Sequence, residues 1–261
     1  MKKTKERQEH TMRRGIYILP NLFTTASLFS GFYSLVASMR GDYVHAAIAI
    51  VVSFVLDGLD GRIARITHST TQFGVEYDSL SDLVAFGVAP AILAYQWSLI
   101  PFGRCGWIVA FLFAACGALR LARFNVQVGD IDKKIFNGLP IPAAAGVIAT
   151  SVLLWDYMGG TGEFTSVSIL IAMVFLSYCM VSNVKYYSFK DLDFFTSKPF
   201  MTLVMIVFLF VVVLLEPQIM LFSFALSYSI SGPMWRVVKM IKRRMGNEED
   251  DSDMEEHHEN I

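Results

Sequence analysis

Four aspartates within residues 56–87 are the residues of this sequence best suited to chemistry. Asp57 and Asp60 are three positions apart and Asp78 and Asp82 are four apart, so each pair lies on one face of a helix. Carboxylates in apolar helices are costly unless their charge is balanced, and they commonly mark functional sites. Two facing acidic pairs supply oxygen ligands, which favour a hard divalent cation, Mg²⁺ or Mn²⁺.

The charges around these aspartates decide between a ligand site and a structural ion-pair cluster. Arg62 and Arg65 follow the first acidic pair and can neutralise it, but residues 66–103 contain no Lys or Arg beside the second pair. The remaining negative charge favours a bound metal ion. Glu76 lies about 200° around the helix from Asp78, so we exclude it from the cluster.

Glycines next to the aspartates leave room for a ligand. Gly58, Gly61 and Gly74 remove side chains from the helix surface, so a ligand or a neighbouring helix can approach the backbone. Arg65 lies near the same helix face as Asp57, where its guanidinium can pair with a phosphate. The sequence therefore predicts a site for a metal ion and a phosphate-bearing ligand.

The composition places this site in a membrane protein. Of the 261 residues, 54% are apolar, 13% aromatic and 17% charged, whereas soluble domains are nearer a quarter charged. An apolar rather than basic excess disfavours aqueous fibres, disorder and nucleic-acid binding. The three cysteines are widely spaced and odd in number, so they indicate neither a disulfide framework nor a zinc cluster.

Long apolar stretches predict an all-α membrane domain over residues 16–240. A basic segment, 1–15, precedes it, and a basic and then acidic tail, 241–261, follows and is predicted to be disordered because residues 247–261 hold eight acidic residues and no Lys or Arg. The stretches suit a bilayer core roughly 30 Å thick. They predict eight membrane-spanning helices, at about 17–39, 44–66, 74–97, 106–126, 139–158, 165–184, 199–215 and 218–239.

The basic residues predict the orientation of these helices. With eight spans and a cytoplasmic N-terminus, 20 of the 22 Lys and Arg residues lie on the cytoplasmic side, and only Arg40 and Arg104 lie on the other. Both termini and the four aspartates are then cytoplasmic. We expect a multi-pass protein of the cell (inner) membrane with its site facing the cytoplasm.

The spacing around the aspartates resembles a known signature. Asp57-x-x-Asp60-Gly61-x-x-Ala64-Arg65, eight residues and then Gly74-x-x-x-Asp78-x-x-x-Asp82 is similar to the motif of the CDP-alcohol phosphatidyltransferases, integral membrane enzymes of phospholipid synthesis. All eight specified residues match over 26 positions. The probability of a chance match is therefore very small, far smaller than for a lone Gly-x-Gly-x-x-Gly motif.

The resemblance implies a role for each matching residue. It implies that Asp57, Asp60, Asp78 and Asp82 hold two metal ions and that Asp82 is also the general base. It further implies that a nucleotide-bearing lipid, CDP-diacylglycerol, binds a set of residues that includes a short N-terminal motif, Pro20-Asn21-x-x-Thr24. The set is Asn21, Thr24, Asp60, Gly61, Ala64, Arg65 and Thr71.

Three later segments resemble those of bacterial integral-membrane phosphatidylserine synthases. They are residues 117–125, residues 136–144 and the segment that begins Ser182-Asn183-x-Lys185-Tyr186 and continues to Lys190. This resemblance implies L-serine as the acceptor, with Arg120, Arg123 and Asn125 as acceptor-binding residues. From the residues themselves, the two arginines are better interpreted as anchors beside anionic headgroups, and only the resemblance favours acceptor binding. Members of the family commonly form homodimers, so the resemblance also implies a homodimer.

Other interpretations stay open at this point. Within the family, glycerol 3-phosphate or an inositol phosphate is an alternative acceptor, and the headgroup motifs do not distinguish acyl-linked from ether-linked tails. A cation-coupled transporter accounts for intramembrane acids, but it gives no reason for Gly61, Ala64, Arg65 and Gly74 at these spacings. A membrane scaffold without catalysis is the third alternative.

Overall fold

The computed structural model describes residues 2–67, 71–127, 135–187 and 215–259, together with residues 201, 204, 205, 207, 208 and 211. Its helices are α1 (Lys2–Met39), α2 (Tyr43–Ile66), α3 (Gln72–Phe102), α4 (Arg104–Gln127), α5 (Ile141–Tyr157), α6 (Val167–Val181) and α7 (Pro217–Glu259). The prediction of a helical protein is confirmed.

Four of the described helices are long and apolar enough to cross a membrane. They are Pro20–Met39 within α1, and then Tyr43–Ile66, Gln72–Phe102 and Arg104–Val126. The helices α5 and α6 are apolar but shorter, and they coincide with the predicted spans at 139–158 and 165–184. The predicted span at 199–215 lies largely outside the described residues, and the span at 218–239 lies within α7.

The two ends of the chain differ from the sequence-based expectation. Helix α1 begins at Lys2 rather than near residue 17, so the basic segment 1–15 continues into the first apolar helix. Helix α7 continues to Glu259 through the acidic segment for which composition predicts disorder. Met, Lys, Arg and Glu are good helix formers, which accounts for helical backbone in polar segments.

A short strand pair, which the sequence did not predict, accompanies the helices. Strands β1 (Ile135–Asn137) and β2 (Lys185–Tyr187) pair antiparallel, with Phe136 opposite Tyr186. Gly138 follows β1 with φ of 84°, and a side-chain carbon there would lie 2.4 Å from the Met180 carbonyl oxygen, so the turn requires glycine. The strands thus join the beginning of α5 to the end of α6.

Polar contacts join α1 to α2 inside an apolar core. Ser27 and Ser53 each donate to the other's backbone carbonyl oxygen, at 3.2 and 3.0 Å. Such hydrogen bonds hold helices together where no water competes. Gly31 lies against α3 so closely that an added side-chain carbon would be 2.6 Å from the Cα of Ala85. These contacts set α1 and α2 beside the first turns of α3, where the acidic residues lie.

Helix α3 changes its winding immediately after the last aspartate. It is α-helical over Gln72–Asp82 and continues as a π-helical segment, Leu83–Val88. A second π-helical segment, Tyr95–Leu99, follows an α-helical turn. Single π turns inside helices are often found at functional sites.

Candidate active site

Three of the four predicted metal ligands converge in the structure. Asp57 and Asp60 lie near the C-terminal end of α2, and Asp78 lies in the second turn of α3. One carboxylate oxygen from each lies within 4.8 Å of the others. The helical spacing of each pair and the packing of α2 on α3 bring together residues that are separated by the turn between these helices.

The fourth aspartate, Asp82, lies one turn further along α3. It is not part of the 4.8 Å triad, but its carboxyl lies within hydrogen-bonding reach of the Asp57 carboxyl. The guanidinium of Arg120, from α4, also interacts electrostatically with Asp82. Asp82 therefore interacts both with the triad, through Asp57, and with Arg120.

The acidic cluster fits a divalent cation. Within the described part of the chain, no Lys or Arg forms an ion pair with any of the four aspartates, so Arg62 and Arg65 do not neutralise the first pair. The Asp78 Oδ1 atom is buried and has no hydrogen-bond partner in the part of the chain that the structure describes. A buried carboxylate oxygen without a partner is costly. Clustered carboxylate oxygens are the donors that Mg²⁺ and Mn²⁺ prefer.

A polar cavity of about 140 Å³ opens beside Asp60 and Asp78. Six of the seven residues predicted to bind the nucleotide-bearing lipid line this cavity. The seventh, Arg65, does not line it, and its Nε donates to the Gly61 carbonyl oxygen at 2.9 Å. The lining residues are Pro20, Asn21, Thr24, Asp60, Gly61, Ala64, Thr71, Gly74, Val75 and Asp78. The N-terminal motif and the aspartate motif thus share one cavity, while the ligand roles stay predictions.

The three glycines of this region serve two different purposes. A side-chain carbon added to Gly58 or Gly61 would meet no atom within 4 Å, so both leave open space as the sequence predicts. At Gly74 the same carbon would lie 3.1 Å from Thr71 Oγ1 and 3.4 Å from Asn21 Oδ1. Thr71 Oγ1 accepts from the Gly74 backbone N–H at 3.0 Å and caps the start of α3.

Sequence reasoning missed two contacts that position the cavity walls. Ser81, between the two aspartates of α3, donates from Oγ to the Thr24 carbonyl oxygen at 3.1 Å. The hydroxyls of Tyr77 and Thr25 are 3.0 Å apart. The sequence does show a serine and a tyrosine beside the aspartates of α3. It does not show their hydrogen-bond partners, because each partner lies on α1, more than 50 positions away in the chain.

A family model described as CDP-alcohol phosphatidyltransferase matches residues 17–178. The chain belongs to the CDP-alcohol phosphatidyltransferase family. The matched segment contains the four aspartates, the residues of the polar cavity, and Arg120 and Arg123 of α4. The family resemblance read from the motif is confirmed.

Curated relatives within this family carry names that specify an acceptor. The chain is 40% identical over 229 residues, 87% of its length and 95% of the relative's, to the CDP-diacylglycerol–serine O-phosphatidyltransferase of Helicobacter pylori strain 26695. It is 38% identical over 170 residues to the archaetidylserine synthase of Methanothermobacter thermautotrophicus, covering 64% of this chain and 69% of that one. A Saccharomyces cerevisiae CDP-diacylglycerol–serine O-phosphatidyltransferase is 36% identical over 160 residues, 56% of each chain.

The residues that family resemblance assigns to the acceptor lie on α4 in unequal surroundings. Arg123 donates from Nη2 to Asn183 Oδ1 at 2.6 Å and from Nη1 to the Val181 carbonyl oxygen at 3.4 Å. By contrast, the Arg120 Nε atom is buried and, among the described residues, has no hydrogen-bond partner. Arg120 therefore has an unused donor near Asp82, whereas Arg123 holds the segment that leads into β2.

Asn125 joins α4 to α3. Its Nδ2 lies 3.0 Å from Ser79 Oγ and 3.3 Å from Glu76 Oε2, and it donates to both. Glu76 thus belongs to this helix contact rather than to the acidic triad, as its angular position on the helix predicts. Ser79 adjoins Asp78, so Asn125 fixes α4 beside the cluster.

An apolar groove of about 460 Å³ lies between α2, α5 and α7. Phe54, one helical turn before Asp57, lines it, and so does Tyr228, which interacts electrostatically with Arg120. The other lining residues are Ile50, Val51, Pro140, Pro142, Ala143, Gly146, Thr150, Leu221, Phe224 and Ala225. The lining of the groove is therefore almost entirely apolar.

The strand pair anchors α7 next to this groove. The Tyr186 hydroxyl donates to the Ser229 carbonyl oxygen at 3.0 Å, and its ring packs beside that of Tyr228 with centroids 5.7 Å apart. Gly232 admits the ring, since a side-chain carbon there would lie 2.5 Å from it. Burial raises the pKa of the Tyr186 hydroxyl well above its usual range, so it stays a neutral donor.

Proposed function

We propose that this enzyme transfers the phosphatidyl group of CDP-diacylglycerol to the hydroxyl of L-serine, giving phosphatidylserine and CMP. The observation that carries the proposal is the carboxylate triad beside a cavity lined by both nucleotide motifs. Membership of the family supports the phosphatidyl transfer, and the names of the relatives that match most of the chain support serine.

The chain supplies a base for the transfer. The serine hydroxyl oxygen forms a bond to the phosphorus that carries diacylglycerol, and the bond from that phosphorus to the oxygen of the CMP phosphate breaks. The serine proton passes to the Asp82 carboxylate, and the electron pair of the broken bond leaves with CMP. Divalent cations held by Asp57, Asp60, Asp78 and Asp82 would stabilise negative charge on the phosphate oxygens.

The structure offers separate surfaces for the three parts of the reaction. The polar cavity suits the cytidine diphosphate, because Gly61 leaves open space beside Asp60. The apolar groove, which begins one turn from Asp57, suits the diacyl tails. Arg120, which interacts electrostatically with Asp82, suits the carboxylate of the acceptor, since guanidinium binds carboxylates in bidentate fashion.

The function is tested with purified protein in detergent. Labelled L-serine, glycerol 3-phosphate and an inositol phosphate are supplied side by side, each with CDP-diacylglycerol and either Mg²⁺ or Mn²⁺. We expect labelled lipid and CMP in equal amounts from serine. Lipid formed from a phosphorylated acceptor instead would replace the serine assignment but keep the reaction class. Absence of CMP release with every acceptor would contradict the proposal and favour a transporter or scaffold.

Arg120 and Arg123 are expected to affect serine differently. Arg120→Gln should raise the KM for serine about 10–100-fold, since a hydrogen bond to a charged group contributes about 1.5–3 kcal/mol. Arg123→Gln should mainly lower thermal stability, because its guanidinium is already bonded to Asn183 and Val181. Steady-state kinetics and unfolding temperatures of both variants check this. A larger KM effect at Arg123 would reverse the assignment.

We also propose the topology that the basic residues predict, with eight spans, both termini in the cytoplasm and the active site facing it. Native Cys105, which is exposed at the start of α4, is then outside the cell membrane. A membrane-impermeant thiol reagent should label Cys105 in intact cells. In a Cys105→Ser background, Gln72→Cys should react only after the membrane is opened. The opposite pattern would invert the orientation.

The membrane and the assembly follow from the same proposal. Cytoplasmic nucleotide and serine place the protein in the cell (inner) membrane, where lipids surround it. A homodimer is an expectation of the family resemblance, and the mass of the protein in detergent, measured by light scattering, checks it.

A further inference from the structure

The hydroxyl of Thr24 contacts a metal-ligand candidate rather than open cavity space. Thr24 lies on α1 with 3% of its surface exposed, and Asp60 on α2 is 4% exposed. Thr24 Oγ1 lies 2.8 Å from Asp60 Oδ2 and donates to it. The same oxygen lies 3.2 Å from the Pro20 carbonyl oxygen, one turn earlier. The hydroxyl proton of Thr24 is therefore donated to protein oxygen atoms rather than toward the cavity.

The backbone of the same residue holds α3. Ser81, which is 1% exposed, donates from Oγ to the Thr24 carbonyl oxygen at 3.1 Å. Ser81 lies between Asp78 and Asp82 in the sequence of α3. Thr24 thus joins α1 both to the Asp60 side chain on α2 and to the acidic turn of α3, and it does so in a buried position where hydrogen bonds are strong.

We propose that Thr24 is a positioning residue, whose hydroxyl fixes the Asp60 carboxylate in the orientation that binds a divalent cation. The inference rests on the proposed function, since it requires that the acidic triad holds a metal. Groups that hydrogen-bond to metal ligands orient them, and their loss commonly weakens metal binding 10–100-fold. The role differs from nucleotide contact, which the sequence motif implies for this residue.

Two variants of Thr24 distinguish the effect of its hydroxyl group from the effect of its side-chain shape. Thr24→Val keeps the branched shape and removes the donor, and Thr24→Ser keeps the donor. Thr25→Val is the matched control, because Thr25 Oγ1 donates to the Asn21 carbonyl oxygen at 2.7 Å and does not contact Asp60. Thr25 Oγ1 also lies 3.0 Å from the Tyr77 hydroxyl on α3, so the control tests whether loss of any such helix contact weakens metal binding. Each of these threonines bonds back to the residue one turn earlier, so the control removes that shared contact.

The measurement is Mn²⁺ binding by the full-length protein in detergent without lipid substrate, followed by electron paramagnetic resonance. We expect Thr24→Val to raise the Kd for Mn²⁺ at least about tenfold, with Thr24→Ser and Thr25→Val close to wild type. Binding of CDP-diacylglycerol without metal should change little. If valine prevents folding, as thermal unfolding would show, Thr24→Ala is titrated in the same way.

The outcomes distinguish this inference from the proposed function. If wild type and Thr24→Val bind Mn²⁺ equally and the variant loses affinity for CDP-diacylglycerol, Thr24 is a substrate contact and the inference is wrong, while the function stands. The same holds if Thr25→Val weakens Mn²⁺ binding as much as Thr24→Val. If wild-type protein binds no Mn²⁺, both the positioning role and the proposed metal site are overturned.

Discussion

Asp78→Asn is expected to lower turnover by at least about 10³-fold while the protein remains folded and membrane-inserted. The Asp78 carboxylate lies within 4.8 Å of those of Asp57 and Asp60, and its Oδ1 bonds to none of the described residues. An amide removes one negative charge from the site. A metal ion contributes several kcal/mol to such a reaction, and each 1.36 kcal/mol corresponds to about tenfold in rate.

The control for this variant lies on the same helix. Glu76→Gln also neutralises a carboxylate, but Glu76 faces Asn125 and keeps a hydrogen-bond acceptor after the change. Its activity should stay within a few fold of wild type. In parallel, a chelator should silence the wild-type enzyme, and added Mg²⁺ or Mn²⁺ should restore it. Full activity of Asp78→Asn, or of chelated wild type, would contradict metal binding at the triad.

Local periodicity accounts for the part of the site that the sequence predicts. Residues three or four positions apart share a helix face, so Asp57 with Asp60 and Asp78 with Asp82 were readable as pairs. The same rule excluded Glu76, and the structure places that carboxylate on Asn125 instead. Glycine spacing likewise predicted open space at Gly61. Each of these features is set by residue spacing within a single helix, which is why the sequence predicts it.

The contacts between distant helices were not predictable from one sequence. Hydropathy predicts that a helix exists and roughly where it ends, but it does not specify which helices are neighbours. The Thr24–Asp60 bond spans 36 positions and the Arg123–Asn183 bond spans 60. Arg120 and Arg123 therefore looked alike in the sequence, and their different surroundings became visible only in the structure.

Local deviations from regular structure were also missed. No proline or glycine stands at Asp82 or Leu83, where α3 changes from α to π winding, so composition carried no signal. The strand pair at Ile135–Asn137 and Lys185–Tyr187 is too short for a periodic pattern. Both depend on tertiary packing, which overrides local propensity in short segments.

Asp82→Asn is expected to reduce the chemical step by at least about 10²-fold, the usual contribution of general acid–base catalysis. Asp82 lies outside the 4.8 Å triad and interacts with both Asp57 and Arg120, so we expect an acceptor bound at Arg120 to reach it. The amide keeps the size of the side chain but accepts no proton. Binding of CDP-diacylglycerol should change less than tenfold, because Asp57 and Asp60 remain.

Single-turnover rates at saturating metal, measured beside direct binding of CDP-diacylglycerol and of Mn²⁺, separate a base from a ligand. A base variant stays slow at saturating metal, whereas a variant that affects metal affinity, such as Thr24→Val, recovers as the concentration of metal rises. Asp82→Asn should therefore be slow under both conditions. If it instead loses Mn²⁺ or CDP-diacylglycerol binding in proportion to its rate, Asp82 is chiefly a metal ligand, and another group must take the proton from the acceptor hydroxyl.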